Sequence, residues 1–466
     1  MRITTCGASG GEVTGSCYLI ETSRAKVLLD CGAFQGHGHR DDDYNANLGP
    51  VVPASLDAAV LTHAHLDHCG RFPILARRGL RCPIYATPAT VDFATLVIED
   101  STKIQESDTA RENTYRKREG KPLIEPLFTR DDSAKLPPLV RAVQYYTWTT
   151  IAPGISIRFS DAGHILGSSH VEMTIEDQGV NRTVVFSGDI GRWDTPFLCD
   201  PTLLKSAPDM VFLESTYGDR DHRSQDETVK EFRTIIQEAI WARQKILIPA
   251  FAIGRTQQVL FHLAEMVRAG TLPEFPIYLD SPMAIKATQL YKKHQDLFDH
   301  ESAALARNRQ FSRDLRNLNY LESVQDSQSI NDREECCIVI AGGGMCEGGR
   351  IVHHLRNNLW RKGVSVVMVG FASHGTLGRA LIDGASEVHI HRRTIPVRAK
   401  IHTLGGFSAH AGQSELLKWF EPLAAAKPRV CLTHGEDPQR RALATKLAER
   451  FSIQAHLPAR FETFEL

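Results

Sequence analysis

Long apolar stretches are missing from this sequence. No segment approaches the roughly 20 apolar residues that cross a bilayer, and residues 1–15 contain glycines and Glu12 where a signal peptide needs an apolar core. The ten cysteines include no C-x-x-C pair, and such scattered cysteines are typical of reduced thiols. We therefore expect a cytoplasmic protein that does not enter a membrane.

The sequence also lacks an excess of either charge. Its 54 Lys and Arg residues nearly balance 55 Asp and Glu residues, giving a net charge of -1, whereas nucleic-acid enzymes often carry a basic surplus. Positive charge for such a ligand would have to be local or supplied partly by metals. Two stretches are candidates, although a solvated surface explains each equally well: Arg111, Arg116, Lys117, Arg118 and Lys121, and Arg392, Arg393, Arg398 and Lys400.

The strongest positive signal is the run of three histidines and an aspartate that follows the apolar residues 58–61. Side chains alternate along an extended backbone, so His63 and His65 are expected to point the same way, while Asp67 and His68 open the next helix. Imidazole and carboxylate groups suit zinc, and this number of ligands indicates two ions and metal-assisted hydrolysis. A His-rich surface loop is the alternative, but H-x-H-x-D-H after a strand is uncommon by chance.

Further polar residues follow other predicted strands. They are Asp30 at the end of 26–30, His164 after 155–159, Asp189 after 183–186, and His434 after 429–432. Taken singly, each is more often a turn former or a satisfied polar group. Together they are expected to gather along one rim of a packed sheet, where functional sites tend to lie.

With these motifs the chain resembles a known family, the β-CASP ribonucleases of the metallo-β-lactamase fold. It is most similar to the bacterial and archaeal relatives of the polyadenylation endonuclease, and RNase J is a more general relative. The metallo-β-lactamase motifs are those described above. The three β-CASP motifs are similar to Leu213-Glu214-Ser215-Thr216-Tyr217-Gly218, Gly406-Phe407-Ser408-Ala409-His410, and Leu432-Thr433-His434-Gly435-Glu436.

The resemblance implies a ligand set for two zinc ions. One ion would be held by His63, His65 and His164, and the other by Asp67, His68 and His434, with Asp189 bridging the two. Asp30 would accept the free N–H of a ligand histidine and fix its tautomer.

The same resemblance implies an acid. His410 would stand over the scissile phosphate, pair with Glu214, and donate a proton to the leaving 3′ oxygen, since a neighbouring carboxylate keeps an imidazole protonated. Ser408, beside it, would touch the phosphate. A structural histidine in a Gly/Ser turn is the alternative.

The fold class expected is α/β, a metallo-β-lactamase αββα sandwich interrupted by a β-CASP domain of parallel sheet and helices. Strands alternate with amphipathic helices from about residue 208. We predict the first part of the metallo-β-lactamase domain at 1–207, the inserted domain at 208–396, and the C-terminal part at 397–466.

Several loops of the inserted domain are candidates for phosphate binding. Gly343 lies in a glycine run before a helix, and exposed N–H groups at a helix start favour anions. Arg255 and Ser373 occupy similar positions. Glycine loops at strand ends are equally common for structural reasons.

The predicted function is a zinc-dependent ribonuclease that cuts single-stranded RNA and leaves 5′-phosphate and 3′-hydroxyl ends. Endonuclease action is the first choice, and 5′ exonuclease action is the alternative to it. Residue His434 favours RNA because the DNA-processing branch of the family usually has an apolar residue there. A DNA nuclease of the same fold, a small-molecule metallo-hydrolase and a non-catalytic RNA-binding scaffold are the alternatives. Single-stranded RNA is the expected partner, and a homodimer is left open.

Overall fold

The computed structural model describes residues 1–36, 38–273, 275–333, 336–370, 372 and 375–466. Its strands are β1 Arg2–Gly7, β2 Cys17–Glu21, β3 Lys26–Leu29, β4 Ala58–Val60, β5 Ile84–Ala86, β6 Val140–Ala142, β7 Thr149–Ala152, β8 Ile155–Asp161, β9 Ser169–Asp177, β10 Val180–Phe186, β11 Met210–Glu214, β12 Lys245–Ala250, β13 Ile277–Asp280, β14 Leu318–Tyr320, β15 Ile338–Gly342, β16 Val364–Met368, β17 Glu387–Ile390, β18 Arg393–Pro396, β19 Lys400–Thr403, β20 Arg429–Thr433 and β21 Thr463–Glu465.

Its α-helices are α1 Asp41–Ala46, α2 Leu66–Cys69, α3 Phe72–Arg77, α4 Pro88–Arg118, α5 Arg130–Ser133, α6 Gln225–Trp241, α7 Arg255–Arg268, α8 Pro282–Lys293, α9 His300–Arg307, α10 Gln310–Asp314, α11 Val324–Asp332, α12 Arg350–Asn358, α13 Leu377–Ile382, α14 Gln413–Phe420 and α15 Asp437–Phe451. None of the helices described combines the length and the apolar character needed to cross a membrane.

The chain divides into two compact units. Unit 1 comprises 1–195, 199–221 and 410–466, and unit 2 comprises 196–198 and 222–409. We predicted the boundaries near 208 and 397. The structure places β11 in unit 1 because it pairs in parallel with β10 and β20, and it places β19 in unit 2 because it pairs with β16.

Unit 1 is built on two sheets that share one hydrophobic core. Their strand orders are β21-β1-β2-β3-β4-β5-β6 and β20-β11-β10-β9-β8-β7. Apolar side chains of both sheets, such as Val27, Val60, Phe159 and Phe186, are fully or almost fully buried in this core. The outer face of the second sheet packs on α14 and α15, whose Trp419 belongs to a second core cluster.

Strand direction in unit 1 places the predicted site residues at common edges. In the first sheet, β3 and β4 are parallel, so the residues after both strands lie at one edge. In the second sheet, β10, β11 and β20 are parallel, and β8 runs the same way because β9 is antiparallel to both β8 and β10.

Unit 2 is a parallel sheet with the order β14-β13-β15-β12-β16-β19 and with helices on both faces. Helices α6, α7 and α8 contribute to one core, and α11, α12 and α13 contribute to the other. The continuous apolar runs of β12, β15 and β16 are typical of strands that are covered on both faces. A separate hairpin joins β17 to β18.

Candidate metal centre

Three imidazoles and one carboxylate of unit 1 form the first ligand cluster. The nitrogens of His63, His65 and His164 and an oxygen of Asp189 all lie within 4.8 Å of one another. His65 Nδ1 lies 3.1 Å from the Nε2 atoms of both His63 and His164. One ring nitrogen carries at most one proton, so hydrogen bonds do not satisfy this convergence, whereas a cation between the rings would.

A second cluster lies in the same unit. It contains Asp67, His68 and His434, again with ligand atoms within 4.8 Å of one another. His434 Nε2 lies 3.4 Å from Asp67 Oδ2 and 3.3 Å from His68 Nε2. Helix α2 begins at Leu66, so Asp67 and His68 stand in its first turn.

The carboxylate of Asp189 lies between the two clusters. Its Oδ2 is 3.3 Å from His63 Nε2 and 3.5 Å from His164 Nε2. Its Oδ1 is 3.2 Å from His68 Nε2 and 3.5 Å from His434 Nε2. Each oxygen therefore faces one cluster, as the predicted bridging role requires.

Two observations show that these residues fit metal ions. Asp189 Oδ1 is buried and accepts no hydrogen bond from any residue that the structure describes, although buried carboxylate oxygens are normally satisfied. Burial lowers the pKa of His63 to about 4 and the pKa of His65 to about 3, so both rings are neutral and can offer lone pairs. A bound cation would satisfy the carboxylate and the imidazoles together.

Hydrogen bonds behind the clusters fix the imidazole rings. Asp30 Oδ2 accepts from His68 Nδ1 at 2.8 Å, and Asp30 also accepts from the backbone N–H and the hydroxyl of Thr62. This leaves His68 Nε2 facing the cluster. The Thr216 hydroxyl lies 3.0 Å from His434 Nδ1 and plays the equivalent part there. Such partners set the tautomer and orientation of metal-binding histidines.

The sequence did not identify Thr62 or Thr216 as functional. Thr62 directly precedes the candidate ligand His63, and Thr216 lies inside the motif that runs from Leu213 to Gly218. Their position in or beside a motif is the signal that could have revealed them, and threonine is too common in turns for that position alone to be specific.

A third group consists of His410 and Glu214 at the edge of the first cluster. His410 Nδ1 lies 3.2 Å from Glu214 Oε1, and His410 Nε2 lies 4.0 Å from Asp189 Oδ2. The backbone N–H groups of Ile190 and Thr216 donate to the Glu214 carboxylate. These two hydrogen bonds therefore fix the position of the Glu214 carboxylate.

The two members of this pair differ in exposure. The His410 side chain is 20% exposed, whereas Glu214 is 1% exposed, so the ring can meet a bound molecule. Burial alone would lower the pKa of His410, but the charge of Glu214 and its hydrogen bond raise the pKa to about 9. The charge of Glu214 thus favours the protonated imidazole.

The predicted substrate contacts belong to unit 2. Arg255 is buried at the start of α7 and donates to Gln258. Gly343 has φ +115°, and a Cβ there would collide with the carbonyl of Gly348, so the tight loop explains this glycine. Ser408 is half-buried. Ser373 lies outside the described residues. The phosphate-binding role of all four stays a prediction.

The chain is similar to known protein families and to several named proteins. Models of the metallo-beta-lactamase superfamily, the Beta-Casp domain and the Zn-dependent metallo-hydrolase RNA specificity domain match residues 10–237, 256–381 and 394–458. The chain is 39% identical to Ribonuclease TTHA0252 of Thermus thermophilus over 450 residues, which cover 97% of this chain and 96% of that protein.

Archaeal proteins are more distant relatives. The transcription termination factor FttA of Methanococcus maripaludis is 30% identical over 468 residues, covering 98% of this chain and 70% of its own length. A crystal structure of a protein of unknown function from Enterococcus faecalis V583 has the same fold, with a TM-score of 0.55, 12% identity, and coverage of 100% of this chain and 99% of that one.

The chain therefore belongs to the β-CASP ribonuclease family of the metallo-β-lactamase superfamily, whose members are metal-dependent hydrolases. The predicted family, fold class and enzyme class are confirmed by these matches. The roles of individual ligands and of His410 stay predictions, which the geometry above makes specific.

Proposed function

We propose that this protein is a zinc-dependent ribonuclease that cleaves single-stranded RNA. Endonuclease action is the main activity proposed, with 5′ exonuclease action as a second mode. The products carry 5′-phosphate and 3′-hydroxyl ends. The observation that supports this most directly is the Asp189 carboxylate, each oxygen of which faces a separate group of imidazoles.

Zinc is the ion that the donor set favours. Five imidazoles and two carboxylates are available, and borderline-soft nitrogen ligands with carboxylate oxygens suit zinc. His63, His65 and His164 would hold one ion, Asp67, His68 and His434 the other, and Asp189 both. Bound zinc would supply Lewis acidity and a water nucleophile at neutral pH.

The side chains around the ions have separate tasks. Asp30 holds His68 in the tautomer that directs Nε2 to the cluster. Glu214 keeps His410 protonated, and His410 presents Nε2 on the side of Asp189. When water attacks phosphorus, that proton passes to the leaving 3′ oxygen, which departs as a hydroxyl.

RNA is proposed as the substrate from the family and from the site. The chain is similar along almost its whole length to a protein named as a ribonuclease, and residues 394–458 match a model described as an RNA specificity domain. An acid placed to protonate a leaving alkoxide fits phosphodiester hydrolysis. It has no evident use in hydrolysis of an activated small molecule.

The test uses end-labelled oligomers of one sequence, as single-stranded RNA and as DNA, incubated with the zinc-loaded protein. We expect internal cleavage of RNA, with products that a ligase requiring 3′-hydroxyl accepts. The variant His410→Ala, which lacks the proposed acid, is assayed on the same oligomers. Its matched control is His456→Ala, because His456 pairs with Glu462 at 2.7 Å outside the clusters. Equal cleavage of DNA would move the protein to a DNA-processing role, and metal without cleavage would favour a scaffold.

Two further features stay predictions. The cytoplasmic location is part of the proposal. The homodimer is tested by the mass of the zinc-loaded protein in solution, measured by light scattering over a range of concentrations.

A further inference from the structure

Positive charge is concentrated in one segment of a chain that is otherwise balanced. Residues 350–400 contain nine Lys and Arg residues and two Asp and Glu residues, whereas the whole chain has a net charge of -1. The basic residues are Arg350, Arg356, Arg361, Lys362, Arg379, Arg392, Arg393, Arg398 and Lys400. Most of the surplus lies in two places, the end of α12 and the hairpin β17–β18 with the residues that follow it.

In the structure, the end of α12 and the turn after it lie beside the hairpin β17–β18 and the residues that follow it, up to Lys400. We call this surface the basic face. On α12 and the turn after it, His353, Arg356 and Trp360 are spaced by three and seven residues and so share a side of the helix. The ring of His353 stacks on the ring of His391 from the hairpin, with centroids 5.1 Å apart. The carbonyl of Leu359 accepts hydrogen bonds from the backbone N–H groups of residues 398 and 399.

Two non-glycine residues at the tip of the hairpin have a strained backbone conformation. His391 and Arg392 have φ of 47° and 63°, and they form the two-residue loop between β17 and β18. Asn-Gly is the usual choice for such a loop, because both residues need positive φ. Bulky residues kept in a costly conformation are found preferentially at functional sites. Here both side chains are exposed and one of them is cationic.

Aromatic surface accompanies the charge. Trp360 is 47% exposed, and the guanidinium of Arg361 lies 5.0 Å from the centroid of its ring. Among the neighbouring acidic groups, Asp383 is paired with Arg379, and Glu238 with Lys400 at 3.8 Å. Glu387 is exposed on the hairpin. A net positive charge remains on the face.

The basic face lies at one end of the sheet of unit 2. Trp360 precedes β16, and the hairpin precedes β19, so the face lies where these strands begin. Arg255 and Gly343 follow the carboxyl ends of β12 and β15, at the opposite end of the same sheet. The face is therefore separate from the loops that the sequence suggested for phosphate binding.

We propose that the basic face binds single-stranded RNA, as a docking surface that holds the strand outside the loops at the carboxyl ends of the strands. Cationic groups that follow a phosphate backbone, together with exposed rings that stack on bases, are the features that bind single strands without sequence preference. A second copy of the chain is a poor occupant because it would bring like charges together. This inference rests on the proposed function, which supplies RNA as the ligand.

The decisive variant is the double substitution His391→Asn with Arg392→Gly. It installs the turn sequence that the hairpin geometry prefers, so the variant should unfold at the same or a higher temperature than its parent. It also removes one cation and one ring, so it should bind RNA about fivefold more weakly. The slope of log Kd against log salt concentration should fall by about 0.7. Trp360→Ala should weaken binding by a similar factor.

Binding is measured by fluorescence anisotropy with a long unstructured RNA, on a zinc-loaded His410→Ala background in which cleavage is slow. Arg441→Ala is the matched control, because Arg441 is exposed on α15 of unit 1 and has the same charge. Its affinity should change by less than that of the hairpin variant. Duplex RNA and polyglutamate are compared as competitors, and neither should replace single-stranded RNA.

Wild-type affinity and an unchanged salt slope in the hairpin variant and in Trp360→Ala would overturn the proposal. If the hairpin variant lost as much affinity for duplex RNA as for single-stranded RNA, the assignment to single strands would be overturned. If the parent protein bound polyglutamate more tightly than single-stranded RNA, the face would be assigned to an acidic protein partner. Binding and cleavage are scored separately. A protein that binds RNA through this face but never cuts it contradicts the proposed function alone, and normal cleavage with unaltered binding contradicts the basic face alone.

Discussion

The Nδ1 atom of His68 lies 2.8 Å from Oδ2 of Asp30, and both side chains are almost completely buried. This contact determines which nitrogen of His68 faces the ligand cluster, because the proton on Nδ1 leaves the lone pair on Nε2. Asp30 belongs to the edge of the first sheet and His68 to α2, so the contact also connects the strand to this helix. Three predictions concern this contact and the groups around it, and a fourth concerns Asp280 of unit 2.

Asp30→Asn should weaken metal binding by about 10- to 100-fold. The amide keeps the size of the side chain but has one acceptor oxygen, so it cannot serve His68 and both donors of Thr62. Competition against a chelator measures the affinity, and circular dichroism checks the fold. Asp57→Asn is the control, because Asp57 accepts from the Lys26 N–H in an exposed turn. Unaltered affinity in Asp30→Asn would remove the proposed orienting role.

The zinc-loaded protein should contain about two metal ions per chain. Asp67→Ala should remove one of them, because Asp67 belongs to the second cluster alone. Asp189→Ala should reduce both, because its two oxygens face different clusters. Elemental analysis after gel filtration gives the ratio. A loss of one ion in both variants would show that Asp189 does not bridge.

His410→Ala should keep both metals and the fold while losing a factor of about 10²–10⁴ in rate, which is typical of a missing general acid. Glu214→Gln should lose less, since it alters the pKa of the imidazole without removing the ring. A substrate with a better leaving group should restore much of the rate in His410→Ala, because that group departs without a proton. His456→Ala and wild type should respond alike to both substrates. Loss of zinc, or no recovery with the activated substrate, would contradict the acid role.

Asp280 in unit 2 should contribute stability that depends on pH. Its buried carboxylate accepts from Ser327 and His354 at 2.6 Å and from Arg350 at 2.7 Å. Burial alone would raise the pKa of Asp280, but the hydrogen bonds from His354, Ser327 and Arg350 hold it below the ordinary value of 3.8. The stabilisation is therefore present above that value and is lost as the pH falls through the lower, folded pKa.

Asp280→Asn should lower the free energy of unfolding by about 3 kcal/mol near neutral pH, because it leaves Arg350 and His354 without their anion. The difference from wild type should shrink as the pH falls below about 4. Urea unfolding at several pH values measures both effects. Asp326→Asn, an exposed neighbour bonded to Ser323, should change stability little. A difference that stays constant with pH would show that the charge of Asp280 is not responsible.

Local sequence was informative wherever one strand determined the outcome. The apolar run 58–61 and the histidines after it predicted a strand followed by ligands, and His63 and His65 do converge. Strand direction then brought His164 and Asp189 to the same edge, which the alternation of strands and turns made predictable.

Pairing between strands that are distant in the chain could not be predicted from the sequence. The unit boundary depends on β11 pairing with β20, two strands more than 200 residues apart. The burial of Arg255 depends on packing around α7, and nothing in its glycine-flanked position indicates it. Thr216 lies in a motif, but the sequence does not show that the fold brings its hydroxyl 3.0 Å from His434 Nδ1.

The backbone conformation of two site residues affects the stability of the protein when no metal is bound. Asp30 and His434 have φ of 55° and 54°, a left-handed conformation that costs of order 1 kcal/mol for each non-glycine residue. Ligand binding to the folded state offsets such a cost by mass action. We therefore expect chains made under metal starvation to unfold and be degraded more often. The abundance of this protein would then follow the supply of metal.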